Sequence, residues 1–538
     1  MLRITELKLP LDHAPEALLQ AICKRLNIND TQLKTFKIAR RGYDARKKNA
    51  IKLVYTVDVE VDQAQTLLQQ HAQDQHISST PDVSYRPVCS SPAQPATRPV
   101  VIGTGPCGLM AGLILAQMGF NPIILERGQS VRQRTQDTWA LWRKGILNPE
   151  SNVQFGEGGA GTFSDGKLYS QVRDPRHLGR KVLDEFVKAG APEEILYLSK
   201  PHIGTFRLVS MVEKMRHTIE SLGGEFRFNS RVVDIELQDG QVNGVTLANG
   251  DTLNGHHVVL AIGHSARDTF EMLYQRGIYI EAKPFAIGFR IEHPQSLIDR
   301  CRFGSFAGHP VLGAADYKLV HHAQNGRSVY SFCMCPGGTV VAATSDAEHV
   351  VTNGMSQYSR NERNANSGLV VGITPSDFPN DHPLAGLALQ HEWEAKAFEL
   401  GGGNYHAPGQ RVEDFLKSEP TKKLGQVIPS YQPGVKLTDL STALPGYAIE
   451  AIREALPAFE RRIPGFAMPD AMLTAVETRT SSPIRIKRDK TSLQSINTRG
   501  LYPAGEGAGY AGGILSAAID GIKVAEALAL DMNATHVS

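Results

Sequence analysis

Apolar and polar positions change period repeatedly along this chain, and each change marks an element. Near the N-terminus Leu18, Leu19, Ile22 and Leu26 recur at helical spacing behind Pro15 and Glu16. Ile51, Leu53, Tyr55, Val57, Val59 and Val61 then alternate strictly as one face of a strand. Residues 1–75 therefore read as a small N-terminal α+β domain. Residues 76–98, HISSTPDVSYRPVCSSPAQPATR, are rich in Ser and Pro, have no period and make a linker. From Val100 the run VVIGTGPCGLMAGLILAQMGFNPIILER predicts a short apolar strand, a glycine turn, an apolar helix and a second strand closed by an acid. Residues 226–263 alternate around the turn pairs Asp239-Gly240 and Asn249-Gly250 as a meander, and its last strand, Val258 to Ile262, is apolar enough to re-enter a parallel sheet.

With 538 residues, 41% hydrophobic and 21% charged, there is material for two or three domains with real cores. The net charge of +2 creates no whole-protein field that demands an acidic partner. MLRITELKLPLDH lacks an apolar run of signal-peptide length, and nowhere are there roughly 18 uninterrupted apolar residues, so a cytoplasmic chain without a membrane partner is expected. Cys23, Cys89, Cys107, Cys301, Cys333 and Cys335 are too scattered for a disulfide framework or a metal site, and reduced thiols follow. Locally, Lys34 to Lys52 holds eight Lys or Arg against the single Asp44. That stretch reads either as an RNA or nucleotide-phosphate contact or as a solvated strand connection, and the lack of interleaved aromatics favours the second.

The glycine turn carries the chemistry. Gly103 allows a tight exit from the strand, Gly105 lets backbone approach a pyrophosphate, and Gly108 lets the helix pack close to the sheet. Glu126, 23 residues after Gly103, ends the second strand where a carboxylate can accept from both ribose hydroxyls of an adenosine. The same acid repels a 2′-phosphate, so FAD or NAD fits better than NADP. The glycine spacing recurs twice. At Gly156, Gly158 and Gly161 no strand precedes it. At Gly507, Gly509 and Gly512 a strand precedes and a helix follows, but about a dozen polar or irregular residues then remain, too few for another strand ending in an acid. One complete nucleotide site is readable. The loop Gly156 to Gly166, with the hydroxyls of Thr162 and Ser164, offers unobstructed N–H groups to a phosphate or a ribityl chain; an unliganded surface loop is the alternative.

The Val100–Arg127 segment, Gly158-Gly159, Ala261 to Gly263 and PAGEGAGYAGGILSAAIDG together resemble the flavoproteins with two dinucleotide-binding domains, in which four such segments surround one FAD. More narrowly, KPFAIGFRIEHP, FCMCPGG, GGNYHAPGQRVEDFL, TSSPIRIKRD and PAGEGAGYAGG resemble a bacterial family of uncharacterised FAD-dependent dehydrogenases over nearly the whole chain. The resemblance implies an α/β fold: a Rossmann-type FAD-binding domain in two parts, 99–282 and 491–538, interrupted by a cap or substrate domain over 283–490. It implies a cofactor cradle of Gly103, Gly105, Pro106, Cys107, Gly108, Glu126, Arg127, Gly158, Gly159, Thr162, Ala261, Gly263, Gly505, Glu506, Gly512, Gly513 and Ile514. Glu506 departs from the broader superfamily, where Asp is more usual. The helix starting near Gly512 or Gly513 would aim its N-terminus at the flavin pyrimidine edge, where negative charge develops on reduction; close packing is the plainer role of those glycines. No His precedes Gly158-Gly159 closely, so the FAD is expected to be non-covalent.

A flavin performs the redox step itself, so few reactive side chains are needed. Arg479, Ser482 and Arg485 lie where the cap returns towards the flavin, and an Arg there would bind a carboxylate or phosphate bidentately; surface pairing is the alternative. His202 and Arg207 follow the glycine loop and would touch substrate or FAD, or else serve local structure. Cys333 and Cys335, two apart on a strand, share a face and read as buried small residues. The expectation is an FAD-dependent oxidoreductase passing hydride at flavin N5 between a small-molecule donor or acceptor, or a transiently docking NAD(P)H, with no metal. Rival readings are a flavin-dependent RNA-modifying or RNA-binding protein using the basic N-terminal stretch, and an FAD-binding sensor without turnover.

Overall fold

The computed structural model describes residues 1–92, 97–170 and 172–537; residues 93–96, near the end of the expected linker, lie outside the described residues, as do Gln171 and Ser538 of the two expected FAD-binding segments. The first 79 residues build a four-stranded sheet in the order Leu33–Asp44, Lys52–Val61, Leu2–Pro10, Ile77–Ser79. Helix Ala17–Leu26 buries Leu18, Ile22 and Leu26, and Leu19 is only half-buried. The basic stretch is not a connection between strands: most of it is the 12-residue strand Leu33–Asp44, with Leu33, Phe36, Ile38 and Tyr43 packed inward. Register shifts at Leu33/Thr35 and Ile38/Arg40 break its period of two, which hid it from an alternation test. Its free edge is pinned, since the Arg41 N–H donates to the Tyr197 carbonyl at 2.6 Å and the Ser199 N–H donates back to Arg41 at 2.9 Å.

A five-stranded sheet runs in the order Leu501–Pro503, Val258–Leu260, Val100–Ile102, Ile123–Leu125, Glu225–Arg227, every neighbouring pair parallel. Helix Pro106–Gln117 covers one face, apolar on all sides because the C-terminal helix Ile514–Val537 packs across it. Gly521 makes that crossing close: a Cβ there would lie 2.2 Å from the Cys107 carbonyl oxygen. The C-terminal helix continues to Val537, so the residues expected to be irregular after it are helical. The meander forms a separate three-stranded sheet.

The third large unit is a seven-stranded sheet in the order Val320–His322, Ser328–Cys335, Asn364–Ile373, Phe285–Pro294, Met472–Glu477, Ala407–Arg411, Val435–Leu437. Its central strands are buried on both faces, and Phe285–Pro294 is buried along nearly its whole length, with Arg290, Glu292 and His293 included. The chain enters and leaves this unit side by side, because Ile280–Ala282 pairs antiparallel with Ile484–Ile486. The whole is a mixed α/β protein. Among the described residues, no helix is long and apolar enough to cross a membrane.

Candidate functional site

A cavity of about 580 Å³ opens between the carboxyl ends of the parallel strands and the seven-stranded sheet, within the ~300–1,000 Å³ usual for ligand pockets. On the nucleotide side it is walled by Gly103, Gly105, Pro106, Cys107, Glu126, Arg127, Gly159, Ala261, Gly263, Gly505, Glu506, Gly512, Gly513 and Ile514. Three expected cradle residues stand behind the wall. Gly108 sets the helix against the turn, since a Cβ there would fall 1.9 Å from the Gly103 carbonyl oxygen. Gly158 and the buried Thr162 line a second, much smaller hole among Met211, Val212 and Met215, which corrects the expectation that they face a ligand.

Glu126 is buried and accepts four hydrogen bonds, from the N–H groups of Thr104 (3.1 Å), Gly128 (2.9 Å) and Gly156 (3.0 Å) and from the Thr104 hydroxyl. Those bonds fill a carboxylate's acceptor capacity. A ribose diol can gain access only by displacing the hydroxyl, the one donor of the four that rotates away. Arg127 lies over the Phe155 ring at 4.0 Å and pairs with Glu150 and Asp268, so its guanidinium forms a fixed wall. The Gly505 N–H donates to Asp520 at 2.8 Å, and Arg488 grips the same carboxylate at 2.6 Å, which holds the C-terminal turn in place. Burial pushes the Glu506 carboxyl up to about 7, against the pull of Lys283 and a hydrogen bond from the Gly513 N–H.

The far wall comes from the seven-stranded sheet and its flanks: Phe332, Cys333, Cys335, Asn353, Glu477 and Arg479. Beneath them Arg290, wholly buried, pairs with Glu477 at 2.9 Å and donates to Asn353 at 3.1 Å. The expectation for the two thiols fails at Cys333. A register shift between Phe332 and Cys335 gives Cys333 φ +42°, turning its side chain out into the cavity while Cys335 stays buried. Burial among protein atoms still pushes the Cys333 thiol up to about 12, so it is protonated at neutral pH.

Of the expected catalytic residues only Arg479 reaches the cavity, and its guanidinium is committed to the chain. It donates to Glu394 (3.0 and 2.7 Å), Ser345 (2.7 Å) and Asp346 (2.8 Å), while Arg267 binds the same two acids from the nucleotide side. No bidentate face is left for a substrate. Ser482 is buried and donates to the Gly507 carbonyl at 3.2 Å, and Arg485 sits beside Tyr510; neither lines the cavity. His202 stacks on Tyr358 and donates through Nε2 to its carbonyl at 2.9 Å, with burial pushing its pKa down to about 4. The Arg207 guanidinium lies over the same Tyr358 ring, 3.5 Å from its centre. These two are rivets for the 356–360 segment. Sequence reasoning overlooked Lys167, Asn353 and Glu477, although Gly166-Lys167 directly continues the glycine loop.

The residues fit an FAD. Cβ atoms built on Gly263 and Gly513 would meet nothing within 4 Å, so a flat ring can approach the backbone there. The glycine loops also touch, a Cβ on Gly159 lying 2.8 Å from the Gly105 Cα, and the Gly158 N–H donates across to the Thr104 carbonyl at 2.9 Å, so no side chain stands between the two turns.

The family described as "FAD-dependent protein, C-terminal domain-like" matches residues 284–480, "Flavin containing amine oxidoreductase" matches residues 184–280, and a domain of unknown function matches residues 1–60. An uncharacterised protein of Clostridium beijerinckii is 49% identical over 526 residues, 98% of either chain. Among solved structures, halogenase PltM in complex with phloroglucinol and FAD is 13% identical over 82% of this chain and 70% of that one, with a TM-score of 0.38. Flavin-dependent brominase Bmp2 is 12% identical over 81% and 79%, with a TM-score of 0.36. Likeness at that level carries no shared chemistry.

Proposed function

This chain belongs to a family of uncharacterised FAD-dependent proteins, with the Clostridium beijerinckii protein among its members, and from that premise we propose that it is an oxidoreductase with non-covalent FAD lying along the cavity. The observation that carries the reading is a single cavity walled on one side by three glycine turns and on the other by a buried sheet. In this reading residues 99–282 and 491–538 are the Rossmann-type FAD-binding parts, 283–490 the cap, and the N-terminal α+β domain expected over 1–75 extends to its last strand, Ile77–Ser79, inside the stretch expected to be linker. When bound, FAD supplies a two-electron acceptor that takes hydride at N5.

The chain's own residues bind and orient. Gly103, Gly105 and the first turn of helix Pro106–Gln117 would hold the pyrophosphate, and Glu126 the ribose. The helix that opens at Ile514 would turn its N-terminus to the pyrimidine edge, with the Gly513 N–H already given to Glu506. Phe332, Ala343 and Val351 exclude water from the far wall, which strengthens every polar contact there. Organic donors or acceptors, or a transiently docking nicotinamide, reach that compartment. A cytoplasmic setting suits the six free cysteines.

The test is anaerobic bleaching of the flavin band in protein purified with excess FAD, against NADH, NADPH and a metabolite library. Release of all flavin on denaturation is expected, together with reduction by at least one donor. Protein that stays colourless in excess FAD refutes the reading, and yellow protein that no donor reduces supports the sensor instead.

A further inference from the structure

The cations lining the cavity come in closed sets with acids, with one exception, while Glu126 is held by N–H and hydroxyl donors and burial favours the neutral form of Glu506. Arg127 and Arg231 answer Glu150 and Asp268. Glu477 answers the buried Arg290, and Arg479 with Arg267 answers Glu394 with Asp346. Asp165 is held by both arms of Arg360, Nε to Oδ1 at 2.9 Å. Lys167 is left over. Its ammonium sits 3.6 Å from Asp165, beyond hydrogen-bond range, and donates to the Met334 carbonyl. An ammonium has three N–H donors, so capacity remains for the cavity it lines. Among the described residues, Lys167 and Arg360 share the one carboxylate of Asp165, which leaves a single surplus positive charge at the wall. Burial opposes its charge, the neighbouring Cys335 and Asp165 support it, and the balance keeps its pKa above the ordinary lysine value.

A second donor faces the same compartment. Asn353 accepts at Oδ1 from Arg290 at 3.1 Å and from the Gly354 N–H at 2.8 Å. A guanidinium can only donate, so the amide orientation is fixed and Nδ2 is turned away from Arg290. Among the described residues Nδ2 has no partner, and Asn353 lines the cavity. The same cavity also offers apolar surface from Phe332 and Val351.

We propose that Lys167, assisted by Asn353, anchors the carboxylate of a small organic acid, which is the substrate class of the cavity. The inference rests on the reading of that cavity as a joint flavin and substrate site. One surplus cation matches one carboxylate; a phosphate ester, with about −1.5 to −2 charge, would need a second cation that this wall does not supply. Lys167 is a binding and orienting residue here, with its acid end held on the seven-stranded-sheet side so that the rest of the molecule faces the cofactor.

The experiment uses full-length, FAD-loaded protein. Acetate, hexanoate and benzoate are titrated against acetamide, hexanamide and benzamide, following the perturbation of the visible flavin band. At least one acid is expected to perturb the band while its amide does not, with Lys167→Met weakening that acid by about tenfold or more, FAD content unchanged and Lys167→Arg partly restoring binding. Equal response to acids and amides, no response to any acid, or undiminished acid binding in Lys167→Met overturns the proposal. So does loss of FAD in Lys167→Met with acid binding intact, which would assign the lysine to the cofactor. Should the wild-type chain hold no FAD, the functional reading fails separately, and calorimetric titration of the same acids into the cofactor-free chain and its Lys167→Met variant still decides the role of Lys167.

Discussion

Replacing Arg479 by Met distinguishes a structural clamp from a substrate-binding arginine. Arg479 is 4% exposed at its side chain, and the change deletes four hydrogen bonds to Glu394, Ser345 and Asp346. Glu394, wholly buried, keeps only Arg267 and the Thr478 hydroxyl. Breaking a buried ion pair costs about 3–5 kcal/mol. Two features reduce that here: Arg267 still faces both acids, and Asp346, 30% exposed, can rehydrate. A loss of about 2–4 kcal/mol remains, equal in cofactor-free and FAD-loaded protein. Urea unfolding followed by intrinsic fluorescence measures it. Adding Glu394→Gln should recover about 1–3 kcal/mol, because the two sites share one network. The acid side carries a second signature. With the two arginines beside it, Glu394 keeps its carboxyl well below the ordinary 4.5 despite its burial. Its stabilisation is therefore present above about pH 4.5 and is lost as pH falls, and Arg479→Met should flatten that slope. A variant within about 0.5 kcal/mol of wild type, the usual span of surface changes, but defective in substrate binding, refutes the clamp.

Glu506 works in the opposite sense: its folded pKa of about 7 lies above the ordinary 4.5, so its contribution to cofactor-free stability is full below pH 4.5 and is lost as pH rises through 7. That amounts to at most about 3 kcal/mol, and Glu506→Gln should abolish the dependence; equal slopes in the two urea series between pH 5 and 8 would exclude it. The glycines separate by role. Gly108→Ala, with its Cβ 1.9 Å from backbone, should destabilise the chain with or without FAD, whereas Gly513→Ala, with open space at φ +82°, should cost the cofactor-free chain only about 1–2 kcal/mol. Its FAD affinity should fall by about tenfold or more as the methyl takes room beside the ring, and an FAD titration that leaves Gly513→Ala unchanged contradicts the proposed placement.

The nucleotide half was legible because its determinants are local. A turn from Gly103 to Gly108, an apolar helix and an acid at Glu126 lie within 28 residues, so spacing alone fixes their relative places. The basic strand Leu33–Asp44 was not legible, because two bulges shift which side chains face inward. The candidate reactive residues failed for a different reason. Whether Arg479 is free depends on Glu394, 85 positions away, and on Arg267, both brought to it by the fold. Spacing carries no record of such partners. Lys167 is the converse case: its surplus charge emerges only after Arg360 has claimed Asp165 from 195 positions away. Cys333 reverses the expectation through backbone geometry, since one bulge is enough to separate residues that a regular strand would place on a common face.

The order of the parallel sheet fixes when it can be completed during synthesis. Val258–Leu260 is flanked by Val100–Ile102 on one side and Leu501–Pro503 on the other. Roughly 240 residues separate Val258–Leu260 from Leu501–Pro503, so at about 5–20 residues per second the ribosome leaves that strand's outer edge bare for on the order of ten to fifty seconds. Throughout that interval the nascent chain lacks the helix that covers Pro106–Gln117 and half of the walls that enclose the cavity. Assembly of the site is a late event, and the half-built sheet is the state a chaperone would meet.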